Sequence, residues 1–194
     1  ERYSVYIFYS YCIYGSLSME KTAFKKHMKI VITGPESSGK STLFKSLENH
    51  YKIKGVREFS RDFLSSKKGQ YKYADLLTIA KGQLNSELEL INSTDFLLCD
   101  TDLLTIKIWS YYKFNSCDPE IINLFNSNPA DLYVLMSPDI PWESDPLREN
   151  PADRNELLAI YEHELTDLGV PYFLISGSAD IRLNKTIKLI DNHL

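Results

Sequence analysis

The chain has 194 residues with 22 Lys and Arg against 26 Asp and Glu, a net charge of −4, which suffices for one sizeable core but not for a second full domain. The acidic balance offers no basic face, so phosphate handling is expected to be local and no nucleic-acid partner is expected. Cys12, Cys99 and Cys117 and the four histidines are scattered without metal-ligand spacing, which argues against a metal cluster and points to a reducing cytoplasm.

Residues 1–18 crowd Tyr3, Tyr6, Phe8, Tyr9, Tyr11 and Tyr14 into a stretch with no strand or helix period. The run is too short to span a bilayer and only Arg2 precedes it, so neither a membrane helix nor a secretory signal fits. With the first Met at 19, the expectation is a non-native or flexible Tyr-rich leader over residues 1–27, followed by one folded domain over 28–194. The competing reading is an aromatic hook onto a partner or membrane.

The apolar run Lys29–Thr33 reads as a strand, and it delivers Gly34-Pro35-Glu36-Ser37-Ser38-Gly39-Lys40-Ser41-Thr42 to the opening of a helix over 41–48. This is G-x-x-x-x-G-K-[ST] in its required strand-to-helix context. Phosphate oxygens need donors converging from one side, and a Gly-rich turn entering a helix supplies backbone N–H groups backed by the helix dipole. Lys40 adds a mobile charge for the β- and γ-phosphates, and the Ser41 hydroxyl is a ligand for Mg²⁺. ATP and Mg²⁺ are therefore the expected cofactors.

Residues 53–59 read as a second strand ending in Arg57-Glu58-Phe59-Ser60-Arg61-Asp62. Ligands of open α/β sheets sit beyond the carboxyl ends of the strands, which makes Glu58 a candidate to orient or deprotonate an acceptor hydroxyl. The same charges equally suit a solvated cluster opening a helix. Leu77, Ala80, Leu84, Leu88 and Ile91 give residues 73–92 one apolar stripe at helical spacing. The strand Phe96-Leu97-Leu98-Cys99 then ends in Asp100-Thr101-Asp102, as a Walker B segment does. Asp100 is the candidate Mg²⁺ ligand, and Asp102 is placed to face the acceptor. A helix over 102–114 carries Trp109, Tyr111, Tyr112 and Phe114, either walling a pocket for a flat ring or filling core.

A short helix over 118–126 and a buried strand over 132–136 lead into a proline-marked loop. Asn150 and Pro151 are expected to start a helix that Leu157, Tyr161 and Leu165 bury, with Arg148 just before it and Arg154 in its first turn. Two arginines on such a segment suit a lid that spreads guanidinium charge over transferring phosphoryl oxygens; ordinary ion pairs at a surface helix start are the alternative. A fifth strand over 171–175 leads to Ser176 and Gly177, candidates for contact with the base, and a closing helix follows.

Together, Gly34 to Thr42, Glu58-Phe59-Ser60-Arg61, Ile79-Ala80-Lys81-Gly82-Gln83, Asp100-Thr101-Asp102, Trp142 with Asp145 and Arg148, and Asp153-Arg154 resemble the kinase domain of the NadR family over roughly residues 28–194. The resemblance implies an α/β P-loop NTPase fold with a five-stranded parallel sheet flanked by helices, like a nucleoside or nucleotide kinase with a short lid. It also implies ATP with Mg²⁺ and phosphorylation of a riboside 5′-hydroxyl, with nicotinamide riboside in NAD salvage as the leading acceptor. Three departures stand out. No His-x-Gly-His type signature precedes the kinase motifs, so adenylyl transfer is expected to be absent. Arg57 stands where such kinases can carry a ring-stacking aromatic, and Pro146 replaces a Gly in the lid, which stiffens it. The competing function is a nucleotide-dependent binding or switch protein, which needs the P-loop but no acceptor carboxylate.

Overall fold

In a computed structural model, which describes residues 27–194, four parallel strands form one sheet. The expected leader over residues 1–27 lies, but for its last residue, outside the described residues. The strands are β1 (Lys29–Thr33), β2 (Leu97–Asp100), β3 (Leu132–Met136) and β4 (Tyr172–Ile175), in the order β2-β1-β3-β4. The first three read as near-continuous apolar runs because both faces of a parallel sheet are covered. Ile30, Ile32, Leu98, Leu132 and Val134 pack on one side against α1 (Lys40–Tyr51) and α7 (Ala179–Asp191). Val31, Leu97, Cys99, Tyr133 and Leu135 pack on the other, against α3 (Tyr73–Leu90), α4 (Leu103–Phe114), α5 (Pro119–Ser127) and α6 (Arg154–Leu168). α1 alone buries Leu43, Phe44 and Leu47, each worth roughly 1.5–3 kcal/mol of hydrophobic transfer.

Because β1 leads into α1 on one face while β2 leads into α4 on the other, the chain reverses direction between these neighbouring strands. A crevice therefore opens at their carboxyl ends, where open α/β sheets bind ligands. Among the described residues no helix is long and apolar enough to cross a membrane.

The sheet has four strands, not the expected five. The segment expected to form the second strand, residues 53–59, runs along the outer edge of β2 but pairs only through one parallel bridge, Val56 to Cys99. The Val56 N–H donates to Leu98 O and the Asp100 N–H to Val56 O, both at 2.8 Å. Two neighbours cut the strand short. Gly55 is pressed so closely on the Phe44 ring that a Cβ there would lie 2.5 Å from it, and its N–H is taken by Glu48 Oε1. On the other side Glu58 already stands at the N-cap of α2 (Phe59–Ser66).

Candidate active site

The P-loop wraps the end of β1. Gly34 has φ 129° and lies against β3, where a Cβ would meet Met136 O at 2.8 Å, so only glycine fits. Lys40 opens α1 and curls back on the loop, donating from Nζ to Gly34 O at 2.8 Å and Pro35 O at 2.7 Å. Burial lowers its pKa, opposed by the carboxylates of Glu58, Asp100 and Glu36. Lys40 is thus held beside three acidic groups without an ion-pair distance to any of them.

Asp100 ends β2 beside Ser41 and Lys40. Burial first, and then the neighbouring Glu58, push its pKa up to about 6, while Lys40 and Ser41 pull the other way. Its Oδ1 is buried with no hydrogen-bond partner. An unpartnered buried carboxylate oxygen is costly unless a cation completes it. Mg²⁺ chemistry therefore fits Asp100 with Ser41.

Asp102 is placed differently from expectation. It is 1% exposed, caps α4 through Oδ1 to the Leu104 N–H at 3.1 Å, and accepts from Tyr133 Oη at 2.8 Å through Oδ2. Lys29 Nζ stands 3.7 Å away and 2.6 Å from Glu87. Burial disfavours the Lys29 charge, yet Asp102 and Glu87 more than compensate, and its pKa is raised. Asp102 therefore faces the core and not the acceptor. The reason lies between the two acids: Thr101 adopts φ 68°, a left-handed turn rare for a β-branched residue. It breaks the alternation that would point Asp100 and Asp102 the same way. Asp102→Ala is expected to lower stability by roughly 3–5 kcal/mol, the scale for stripping one partner from a buried charge cluster. Thermal melting reads this directly; an unchanged Tm combined with lost turnover would return Asp102 to the acceptor site.

In front of the P-loop lies a cavity of about 210 Å³. The whole loop from Gly34 to Thr42 lines it, with Glu58, Ser60 and Arg61 from the start of α2 and Trp109, Tyr71, Ile79, Leu157 and Tyr161 as a largely apolar wall. Glu58 thus opens a helix and also lines the cavity. Of the four aromatics on α4 only Trp109 reaches the cavity; Tyr111 is exposed, and Phe114 packs on Tyr71 and Tyr73. Arg57 is exposed and does not line it.

Residues 137–153 cross over the P-loop as an irregular lid. Helix α6 begins at Arg154 and not near Pro151, with its first backbone bond running from the Leu157 N–H to Asp153 O, while the Glu149 and Asn150 N–H groups are turned onto the Glu36 carboxylate. The Ser37 hydroxyl accepts from the Glu143 N–H at 2.9 Å and from Arg148 at 3.3 Å. Arg148 lines the cavity. Arg154 differs: it donates to Ser37 O and Ile140 O beside the Trp142 ring, bracing lid and loop together.

Periodicity and motif did not reveal Arg182. It is 4% exposed and donates to Ser38 O, Ser137 O and Gly177 O with an ion pair to Asp139. Gly177 also donates to Asp139 at 2.7 Å. Ser176 and Gly177 do not line the main cavity; a smaller one of about 100 Å³ lies next to them, bordered by Gly39, Thr42, Ile140, Ala179 and Arg182. No local pattern marks a surface-helix arginine as a tie between three loops.

This arrangement defines a P-loop nucleotide-binding domain with the core of the nucleoside and nucleotide kinases. A profile of the AAA domain family matches residues 29–182, and the chain belongs to that family. It is 26% identical over 171 residues to the trifunctional NAD biosynthesis/regulator protein NadR of Escherichia coli (strain K12), covering 83% of this chain and 41% of that protein. Similarity to the Salmonella typhimurium NadR is 29% over 126 residues, 61% of this chain and 30% of the relative. The chain thus spans well under half the length of these curated relatives. Among solved structures it superposes on NadR in complex with NAD and AMP-PNP with a TM-score of 0.62, at 16% identity over 78% of this chain and 45% of that one. Superposition on thymidylate kinase from Ehrlichia chaffeensis gives 0.61, at 14% identity over 84% and 98%. For deoxyadenosine kinase from M. mycoides with bound dATP it is 0.54, at 14% identity over 85% and 100%.

Proposed function

We propose that the chain is an ATP- and Mg²⁺-dependent kinase that transfers the γ-phosphoryl group to a hydroxyl of a small nucleoside, with nicotinamide riboside as the favoured acceptor. The observation that carries this reading is the cavity that joins the P-loop to a carboxylate, Glu58, and to the aromatic side chains of Trp109 and Tyr71. A nucleotide switch has no use for the last two. Similarity to NadR, one structure of which holds NR, supports the acceptor class.

In this reading the P-loop N–H groups and Lys40 grip the phosphates. Ser41 and Asp100 would hold Mg²⁺, which would supply charge neutralisation to the transferring phosphate. Arg148 adds a guanidinium at the cavity, and Arg154 keeps the lid that carries it on the loop. Glu58 orients the acceptor hydroxyl; phosphoryl transfer asks mainly for positioning and charge stabilisation, so a weak base suffices. Trp109 and Tyr71 give the acceptor's base an aromatic wall. Two buried free thiols, Cys99 and Cys117, suit a reducing cytoplasm.

The test is a nucleoside panel scored for ADP release and phosphorylated product. ATP consumption is expected to rise when nicotinamide riboside or a close riboside is added. Slow hydrolysis that no nucleoside stimulates would replace this reading with the nucleotide switch.

A further inference from the structure

We propose that Glu36, although it lies inside the P-loop, is a positioning residue whose carboxylate anchors the lid, so that it acts through Arg148 and not on the nucleotide. The kinetic part of this proposal rests on the kinase reading; the anchoring itself does not.

Glu36 is half-buried. Its Oε2 accepts from the Asn150 N–H at 2.9 Å and the Glu149 N–H at 3.1 Å, and its Oε1 stands 3.3 Å from the latter. An acidic side chain aimed into a phosphate site would oppose binding, whereas here it is turned sideways onto the lid backbone. Burial raises its pKa while the two lid N–H groups oppose that rise, so the anchor compensates for the carboxylate's own desolvation. Backbone donors cannot change rotamer, and Arg148 immediately precedes the anchored pair. Fixing Glu149 and Asn150 therefore fixes where the Arg148 side chain starts.

Arg154 and Arg182 hold the start of the segment, at Ser137 to Ile140; the other ties near Arg148 are weaker in kind. Arg61 to Asp145 at 3.0 Å and Lys113 to Glu149 at 2.7 Å join partly exposed side chains, and such pairs contribute little. Ser37 accepts from Glu143 and Arg148 through one hydroxyl, without a charge on the acceptor side. Charge-assisted bonds to main-chain donors are the stronger class; those of Asp139 and Asp145 hold other parts of the segment, and Glu36 supplies the ones that join Glu149 and Asn150 to the P-loop.

The experiment uses the intact chain and trypsin, because the Arg148–Glu149 peptide bond is itself a tryptic site lying at the anchor. Cleavage after Arg148 is followed by mass spectrometry in wild type, Glu36→Ala, Glu36→Gln and Lys113→Ala, with melting curves alongside. Cleavage of a locally opened segment tracks its open population. Glu36→Ala is therefore expected to speed cleavage after Arg148 by at least about ten-fold, the response to losing one charge-assisted hydrogen bond. Glu36→Gln, which keeps an acceptor oxygen, should recover most of the protection, and Lys113→Ala should stay near wild type. If Glu36→Ala does not fold, Glu36→Asp replaces it: the charge is kept but the reach shortened, and faster cleavage is again expected. Unchanged cleavage in a folded Glu36 variant, or equal opening in Lys113→Ala, would overturn the anchor. In turnover assays Glu36→Ala should lower kcat with little change in KM for ATP; a raised KM at constant kcat would place Glu36 on the nucleotide instead. Failure of the kinase reading would show separately, as absence of acceptor-dependent turnover in wild type while the cleavage pattern holds.

Discussion

Lys40→Ala is expected to reduce acceptor-dependent ATP turnover by about 100-fold or more, the scale for removing a preorganised charge from a transferring group, while the protein still melts cooperatively. Two observations set these expectations apart. The hydrogen bonds of Nζ run to Gly34 O and Pro35 O within its own loop, so they tie no distant segments together. Its charge sits beside Glu58, Asp100 and Glu36 at the mouth of the cavity, where phosphate oxygens would compete for it. Steady-state turnover and a melting curve on the same preparation check both halves. Turnover within a few-fold of wild type would remove Lys40 from the phosphate site, and Lys40→Met provides the same comparison with the side-chain volume retained.

Asp100→Asn should separate function from stability in the opposite sense. The Asp100 carboxyl titrates at about 6 against an ordinary value of 3.8, so the folded protein prefers it protonated. A carboxylate whose folded pKa is raised stabilises the protein relative to its ionised state at low pH. That advantage is lost as pH climbs from the unfolded value through the folded one. Between about pH 4 and 6 the wild type should therefore lose roughly 1–3 kcal/mol from this group, because each tenfold difference in proton affinity between the folded and unfolded chain is worth about 1.36 kcal/mol. Asn carries no such charge at any pH, so Asp100→Asn is expected to melt higher than wild type at pH 7 without Mg²⁺. Added Mg²⁺ should raise the Tm of wild type and not of the variant, and Mg²⁺-dependent turnover should fall by about 100-fold or more, as when a charge stabiliser is removed. Equal Mg²⁺ stabilisation of both proteins would take the ion away from Asp100.

The elements that local chemistry controls were legible in the residues alone. Strands β1, β2 and β3 were marked by apolar runs because a parallel sheet buries both faces, and the P-loop by its glycines and lysine. The crossover helix α3 was visible in a 3.6-residue stripe, and α5 starts at Asp118 and Pro119 much as their capping chemistry indicates. The expected start of α6 differs from the observed one. Asn150 and Pro151 form a sound local start signal, but the chain there follows an irregular path tied to Glu36, 114 residues earlier, and the first helical bond runs from the Leu157 N–H to Asp153 O.

The same division runs through the site. Motif and strand-end position put Lys40, Ser41 and Asp100 in one neighbourhood at the ends of β1 and β2, since each is placed by the few residues around it; Glu58 also lines the cavity, but from a helix N-cap and not from a strand end. The direction of Asp102 could not, because a left-handed Thr101 and the distant partners Lys29 and Tyr133 turn it inward. Residues 53–59 shrank from a strand to a bridge because Gly55 is pressed on the Phe44 ring. Tyr71 reached the cavity and Arg182 the loops only through the packing of whole helices. Residue type and spacing determined the chemistry this chain can carry, since propensity and hydrogen-bonding capacity are local properties. Which groups meet, and which are spent holding others in place, was decided by contacts between segments far apart in the chain, whose register exists only once the sheet and its two helical layers have packed.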